Sequence, residues 1–182
     1  VGLAHVLGYI RYPLKDANGF YYQDRYEGMD GVERIYNTEL AGTNGLKIIE
    51  TNALGKIESE SVIEPPRDGT SLWLSVDSRI QEKLYQLIES LTNDVGFDGG
   101  AAAIMDVNTG ELLASVSVPE YNSNVMSDRT NKKQINAFLQ SKKKPFLNRV
   151  TDGLYTPGSI VKPFVALAAL REDIIDPTKE IL

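Results

Sequence analysis

The chain contains no cysteine and one histidine, His5, in 182 residues. The lack of cysteine excludes disulfides and thiolate chemistry. A single histidine also argues against a histidine-based catalytic triad and against a multi-histidine zinc site. We expect His5 to have a structural role in a first strand, and the sequence predicts no metal and no organic cofactor.

Long apolar runs and an excess of positive charge are also missing. No stretch is long and apolar enough to cross a membrane. The net charge of −6, without a basic stripe, argues against a nucleic-acid partner. The one basic run, Lys142–Lys144, is typical of a solvated loop. Hydrophobic and charged residues make up 42% and 24% of the chain, which indicates a globular chain of one or two domains.

The most informative feature is the pair Ser159 and Lys162 in the segment 154–164, LYTPGSIVKPF. The turn at Pro157-Gly158 leads into an apolar helix. Proline is tolerated only within the first helical turn, so Pro163 predicts that this helix begins near Ser159. Residues three apart share one helix face, where the Lys162 amine can accept the Ser159 hydroxyl proton. The pattern predicts a serine nucleophile with a lysine as general base.

A simpler interpretation remains open, because Ser-x-x-Lys is a short motif. Ser159 could be an ordinary helix N-cap and Lys162 a solvated residue of the first turn. The same spacing occurs at Ser141 and Lys144, in a polar run before Pro145 that opens no apolar helix. The motif therefore needs its structural context before it indicates catalysis.

The first 72 residues carry short β patterns and turn signals, such as Asn44-Gly45 and the stretch 52–55. A short helix is predicted where apolar residues fall on one face, with Gly42 placed to end it: Val32, Ile35, Tyr36 and Leu40. Pro65-Pro66 indicates a linker.

From Asp77 the period changes to that of an amphipathic helix. Its buried stripe is predicted to be Ile80, Leu84, Leu87, Ile88 and Leu91. Asp77 suits the N-cap, and a capping box of Ser78 and Gln81 is the alternative. Two strands follow, joined at 108–110, with Ile104 and Leu113 expected inside. A helix on an antiparallel hairpin indicates an α+β fold.

Four segments together resemble the penicillin-binding proteins. Residues 100–114, GAAAIMDVNTGELLA, resemble the first hairpin of their transpeptidase domain, and 119–124, PEYNSN, the turn that follows it. Residues 147–153 resemble their Asn-Arg approach to the nucleophile, and 154–164 their acyl-serine motif. Three positions depart from the usual residues: Asn122, Ser123 and Thr156.

The amino-terminal part resembles the non-catalytic pedestal of the class B, single-chemistry members. The similarity rests on three segments. They are residues 5–9, residues 31–42 with their spacing of glycine, glutamate, tyrosine and leucine, and residues 75–81, SVDSRIQ. The order and spacing are most similar to the elongation-type enzymes. The resemblance implies an α+β fold with a β-rich pedestal at 1–72, followed at 73–182 by the amino-terminal part of a transpeptidase domain of β-lactamase-like fold.

The resemblance also implies an activity, a set of partners and a location. Ser159 would attack the D-Ala-D-Ala end of a peptidoglycan stem peptide, Lys162 would accept its proton, and the Ser159 backbone N–H would be the first oxyanion donor. β-Lactams would form the same ester. Expected partners are stem peptides, a membrane glycosyltransferase and other elongation proteins. An anchor upstream of Val1 would hold the protein in the bacterial inner membrane, facing the periplasm or cell exterior.

The family's Ser-x-Asn and Lys-Thr-Gly motifs do not occur after Ser159. We therefore expect the chain to be part of a longer protein and to be catalytically incomplete alone. Two alternatives stay open. One is a β-lactam-hydrolysing or sensing relative, against which the pedestal weighs. The other is a partner-binding module of the elongation machinery in which Ser159 is idle.

Overall fold

The computed structural model of the chain describes residues 2–17, 19, 21–54, 56–176 and 178. These form two compact units, residues 1–152 and 153–182. The first unit contains the helices α1 to α6 and every strand of the described residues, whose bounds are given below. Within the described ranges, no helix is both long and apolar enough to cross a bilayer.

Short elements make up the amino-terminal part of the first unit. In chain order they are α1 Ala4–Leu7, β1 Ile10–Arg11, β2 Leu14–Lys15, β3 Tyr21–Gln23, β4 Glu27–Gly28, α2 Gly31–Ile35, α3 Asn37–Leu40, β5 Leu46–Thr51 and β6 Ile57–Glu64. The strands pair antiparallel as β1 with β4, β2 with β3, and β5 with β6.

Two sequence predictions for this part are corrected. His5 lies in helix α1, not in a strand. The predicted single helix is divided at Tyr36, whose φ of −107° and ψ of 27° interrupt it. Ile35, the last residue of α2, is 74% exposed and does not lie on a buried face. The predicted turn between β5 and β6 is confirmed, because Asn52 Oδ1 accepts from the N–H groups of Leu54 and Lys56, both at 3.0 Å.

The second part of the first unit is a helix on a hairpin. Its elements are α4 Ser78–Val95, β7 Gly100–Met105, β8 Leu112–Val118, α5 Ser123–Asp128 and α6 Lys132–Gln140. Strands β7 and β8 pair antiparallel, with Gly100 opposite Val118. Helix α4 packs on β8. The observed combination of elements confirms the α+β prediction.

Helix α4 begins as the sequence predicts, but its buried face is different. Asp77 is the N-cap, and its carboxylate accepts from the N–H groups of Arg79 and Ile80, so the capping box is not formed. The residues buried on this helix are Gln81, Tyr85 and Thr92. Of the predicted stripe, the residues that contact the core are Leu84 and Ile88, while Ile80, Leu87 and Leu91 are exposed.

Among the described residues, one core cluster consists of Tyr85, Val116 and Val118, with Leu84 and Ile88 packed against it. A side chain at Gly100 would collide with the methyl groups of Ile88 and Thr92, since an added Cβ would lie 2.8 and 3.0 Å from them, so glycine permits the close approach of helix and strand. On the hairpin, the prediction that Ile104 is inside is wrong, because Ile104 is 38% exposed.

Candidate active site

The turn that leads to Ser159 is formed by Pro157 and Gly158. Pro157 has a φ of −68° and is the N-cap of a 3₁₀ turn, Gly158–Val161. Gly158 has a φ of 54°, in the left-handed region that favours glycine. The proline, whose φ is fixed, and the glycine together begin the helical turn at the residue before Ser159.

Ser159 and Lys162 are joined by a backbone hydrogen bond. The Lys162 N–H donates to the Ser159 carbonyl, which closes the 3₁₀ turn. In such a turn, residues three apart lie one above the other. The structure therefore brings together the two residues that the sequence predicts, and both are exposed.

Lys162 also begins helix α7, Lys162–Arg171, and Pro163 lies in its first turn. The N–H that proline lacks would have no partner there, so the predicted effect of Pro163 is confirmed. Neither the N-cap of the 3₁₀ turn nor that of α7 makes a side-chain capping bond, and Ser159 is not the N-cap of either. The interpretation of Ser159 as an ordinary N-cap is wrong.

Helix α7 is apolar on every side. Its residues Phe164, Val165 and Leu167 are 73%, 62% and 64% exposed. A helix without a polar face is typical of the centre of a large core. The segment with Ser159 and Lys162 therefore opens a helix whose composition suits burial on all sides.

The second Ser-x-x-Lys match has a different structure. Ser141 ends α6 and its carbonyl accepts from the Lys144 N–H at 3.0 Å. Lys144 has a φ of 46°, and Pro145 follows it. No helix starts there, as the sequence predicts.

The stretch before the motif is held by a buried arginine. Arg149 is 9% exposed. Its guanidinium donates to the carbonyls of Lys143 at 2.6 Å, Lys144 at 3.3 Å and Leu147 at 3.5 Å. Its backbone N–H donates to Ser117 Oγ at 3.0 Å, and that hydroxyl donates to the Leu147 carbonyl at 3.0 Å. The loop 143–149 is thereby fixed to strand β8.

One acidic and one aromatic side chain, Glu120 and Tyr121, fix residues near the start of the chain to the part that contains helix α4 and the β7–β8 hairpin. Glu120 accepts from the N–H groups of Gly2 at 2.7 Å and Ala4 at 3.0 Å. The Tyr121 hydroxyl lies 3.0 Å from the Ala4 carbonyl and 2.9 Å from Asp30 Oδ2. Burial, followed by the hydrogen bond to Asp30, raises the pKa of Tyr121, so it stays a neutral donor.

The sequence does not predict the fixing roles of Glu120, Tyr121 and Arg149, although all three lie in segments that resemble family motifs. The partners of Glu120 and Tyr121 lie 91 to 118 residues away in the chain, so no spacing rule identifies them. Among the described residues, no group of histidine, aspartate or glutamate side chains could hold a metal ion.

Two protein families match the chain. Residues 2–74 match the penicillin-binding protein dimerisation domain. Residues 100–181 match the penicillin-binding protein transpeptidase domain, which includes Ser159 and Lys162.

Curated relatives extend the match. The peptidoglycan D,D-transpeptidase MrdA of Haemophilus influenzae is 31% identical over 98% of this chain and 28% of its own length. That of Escherichia coli K12 is 33% identical over 95% of this chain and 28% of its own length. The chain thus spans about 28% of the length of these relatives.

Solved structures agree in fold. Penicillin-binding protein PBP2 of Helicobacter pylori matches with a TM-score of 0.70 and 29% identity, over 99% of this chain and 34% of that one. PBP2 in its complex with MreC, from the same organism, matches with a TM-score of 0.69 and 33% identity, over 99% and 33%. The chain belongs to the penicillin-binding proteins, and it carries their dimerisation domain followed by the beginning of their transpeptidase domain.

Proposed function

We propose that this chain is the part of a peptidoglycan D,D-transpeptidase that carries the nucleophile Ser159 and the general base Lys162. The observation that carries the proposal is the 3₁₀ turn whose hydrogen bond joins these two residues at the start of an apolar helix. The match of residues 100–181 to the transpeptidase domain supports it. Its relatives are named peptidoglycan D,D-transpeptidases.

The first half-reaction would make an acyl-enzyme. Ser159 Oγ attacks the carbonyl carbon of the penultimate D-alanine while its proton passes to Lys162 Nζ. The tetrahedral intermediate collapses, the bond to the nitrogen of the terminal D-alanine breaks, and the proton passes to that leaving amine. In the second half-reaction, an amine of a neighbouring stem peptide attacks the ester, which forms the cross-link and restores Ser159.

The Ser159 backbone N–H would be the first oxyanion donor. It lies in the first turn of a helix, where an amide has no partner within the helix. The second donor and the groups that hold the substrate carboxylate would come from motifs that the 182 residues do not contain. Losing one oxyanion donor costs roughly 10²–10³ in rate in a serine protease, so we expect the chain alone to be inactive.

Residues 1–72 would form the pedestal and 73–182 the first part of the catalytic domain. The match of 2–74 to the dimerisation domain supports the first assignment. It also weighs against a β-lactam-hydrolysing or sensing relative, whose usual form lacks a pedestal.

A second proposed function is partner binding by the pedestal. Every residue described in strands β5 and β6 is exposed, including the apolar side chains Ile48, Ile49, Val62 and Ile63. Exposed apolar patches typically mark interaction sites. The matching PBP2 structure in complex with MreC supports a partner of the elongation machinery, and a membrane glycosyltransferase is a further expected partner. The resemblance supports an inner-membrane anchor outside these residues.

The test is the intact mass of the protein after incubation with penicillin. A full-length protein that contains this sequence should gain one penicillin, and its Ser159→Ala variant should gain none. The matched control is Ser141→Ala, which removes the serine of the second Ser-x-x-Lys match and should leave the adduct unchanged. The 182-residue chain should form no adduct.

Two results would contradict the proposal. An adduct that persists in Ser159→Ala would place the nucleophile elsewhere. A folded full-length protein without any adduct would overturn the enzymatic proposal and leave partner binding by the pedestal as the function.

A further inference from the structure

A cavity of about 450 Å³ lies in the first unit, between the helices α1 and α2 and the stretch 146–152. It is lined by side chains of both charges and by one imidazole. The ones that matter here are Asp30, Arg34, Asp152 and His5. Its volume falls within the range of small-ligand pockets.

The charged side chains around this cavity do not pair with each other. Within the described part of the chain, neither Asp30 nor Asp152 forms an ion pair with Arg34. Asp30 Oδ2 is occupied by the Tyr121 hydroxyl, while its other oxygen makes no hydrogen bond to a described residue. Asp30 is half-buried and both Arg34 and Asp152 are exposed, so two anionic groups and one cationic group line one cavity that is open to solvent.

The imidazole of His5 forms part of the wall without adding a positive charge to it. Its Nε2 is buried and has no hydrogen-bond partner among the described residues. A proton on Nε2 would therefore have no acceptor, which disfavours the imidazolium. The ring packs edge to face on Tyr121, at 5.4 Å between centroids. With neutral His5, the cavity keeps an excess of negative charge beside one guanidinium.

We propose that this cavity binds the zwitterionic head of an α-amino acid, with its ammonium group at Asp30 and Asp152 and its carboxylate at Arg34. Such a ligand places a positive group beside the two carboxylates and a negative group beside the guanidinium, which do not form ion pairs with one another. A guanidinium binds a carboxylate through a planar fork, while an ammonium group is a compact donor that suits two carboxylates. The inference is independent of acyl transfer at Ser159 and concerns binding only.

His5 provides the readout, because it is the only histidine of the chain. The imidazole of the 182-residue chain, labelled with ¹³C-histidine, gives a single set of ring resonances that needs no assignment. D-Alanine should shift them saturably. D-Alaninamide, which lacks the carboxylate, and propionate, which lacks the ammonium group, should each bind at least about tenfold more weakly, because each loses one charge-assisted interaction.

Substitutions identify the residues that bind each end of the ligand. Arg34→Gln should weaken D-alanine binding about tenfold and leave D-alaninamide binding unchanged, since the amide has no carboxylate to lose. The matched control is Arg25→Gln, an exposed arginine that does not line the cavity. Asp30→Asn should weaken the binding of D-alanine and of D-alaninamide alike, because both carry the ammonium group.

A second ligand tests whether the zwitterionic head belongs to a free amino acid or to a peptide. A peptide ending in meso-diaminopimelate presents the same zwitterionic head on a stem peptide, whereas D-alanine presents it free. Binding of either one supports the site and identifies its source. The proposal is wrong if neither ligand shifts the His5 resonances, or if D-alanine, D-alaninamide and propionate bind equally. It is also wrong if Arg34→Gln and Arg25→Gln have the same effect.

Discussion

The side-chain amide of Gln81 forms two hydrogen bonds with the backbone of Ser115. The Ser115 N–H donates to Gln81 Oε1 at 2.8 Å, and Gln81 Nε2 donates to the Ser115 carbonyl at 2.7 Å. The second N–H of Nε2 donates to the Gly2 carbonyl. A fully buried glutamine thus joins helix α4, strand β8 and the start of the chain.

Replacing Gln81 with leucine should destabilise the fold strongly. Three backbone groups would lose their partners in a buried place, and a buried polar group without a partner costs about 1–3 kcal/mol. We expect Gln81→Leu to lower the free energy of unfolding by about 3 kcal/mol or more, measured by urea denaturation.

The matched control is Gln86→Leu on the same helix. Gln86 is exposed, so its replacement should change the free energy of unfolding by less than about 0.5 kcal/mol. Equal losses in the two variants would contradict the role assigned to Gln81.

For α4, the hydrophobic periodicity of the sequence predicts the helix but not which of its faces is buried. The sequence pattern predicts the helix and its N-cap Asp77, and both are correct. The buried face, however, contains Gln81 and Thr92, which a hydrophobic pattern excludes. The Gln81 amide is buried because backbone groups distant in the chain satisfy it, and nothing local in the sequence records those partners.

The backbone around Ser159 was predicted better, because its cause is local. Pro157, Gly158 and Pro163 determine through their own dihedral angles where the helical turn starts. The fixing role of Arg149 depends on a loop and a strand that only the fold brings together. The sequence therefore predicts backbone conformations that depend on local residues. It does not predict hydrogen bonds between polar groups that are distant in the chain.

Arg149→Lys should release the loop 143–149. Lysine keeps the charge but lacks the planar fork that reaches three carbonyls. We expect a loss of about 2 kcal/mol in the free energy of unfolding, together with faster hydrogen exchange in the loop. The exposed Arg67 provides the control, since Arg67→Lys should leave both quantities unchanged. Unchanged exchange in Arg149→Lys would show that the loop is held by other contacts.

Tyr121→Phe removes a hydroxyl and keeps the ring. The ring stacks on Phe146 at 4.8 Å between centroids, so the packing should persist. The lost hydrogen bonds to Asp30 or Ala4 should cost about 1–2 kcal/mol of unfolding free energy. Tyr26→Phe, at an exposed tyrosine, should cost little. A loss equal to that of Tyr121→Ala would mean that the hydroxyl, not the ring, supplies the stabilisation.

The stability of the fold should fall with acidification in the window where His5 titrates. Burial lowers the pKa of His5 below 6.5, and Arg149 lowers it further, while Glu120, Asp30 and the Pro145 carbonyl oppose this shift. Well above pH 6.5, the imidazole is neutral in both the folded and the unfolded state, and it contributes no pH dependence. Below that value, the unfolded chain binds the proton first, so the free energy of unfolding declines until the folded pKa is passed.

Urea denaturation at pH 7.5 and pH 5.5 measures this effect. His5→Gln removes the titrating group, so the variant should lose less stability between the two values than the unmodified chain does. The comparison isolates His5, because Glu120 and Asp30 are present in both proteins. An equal loss in the two proteins would mean that His5 binds protons as readily when folded as when unfolded, which contradicts its burial against Tyr121.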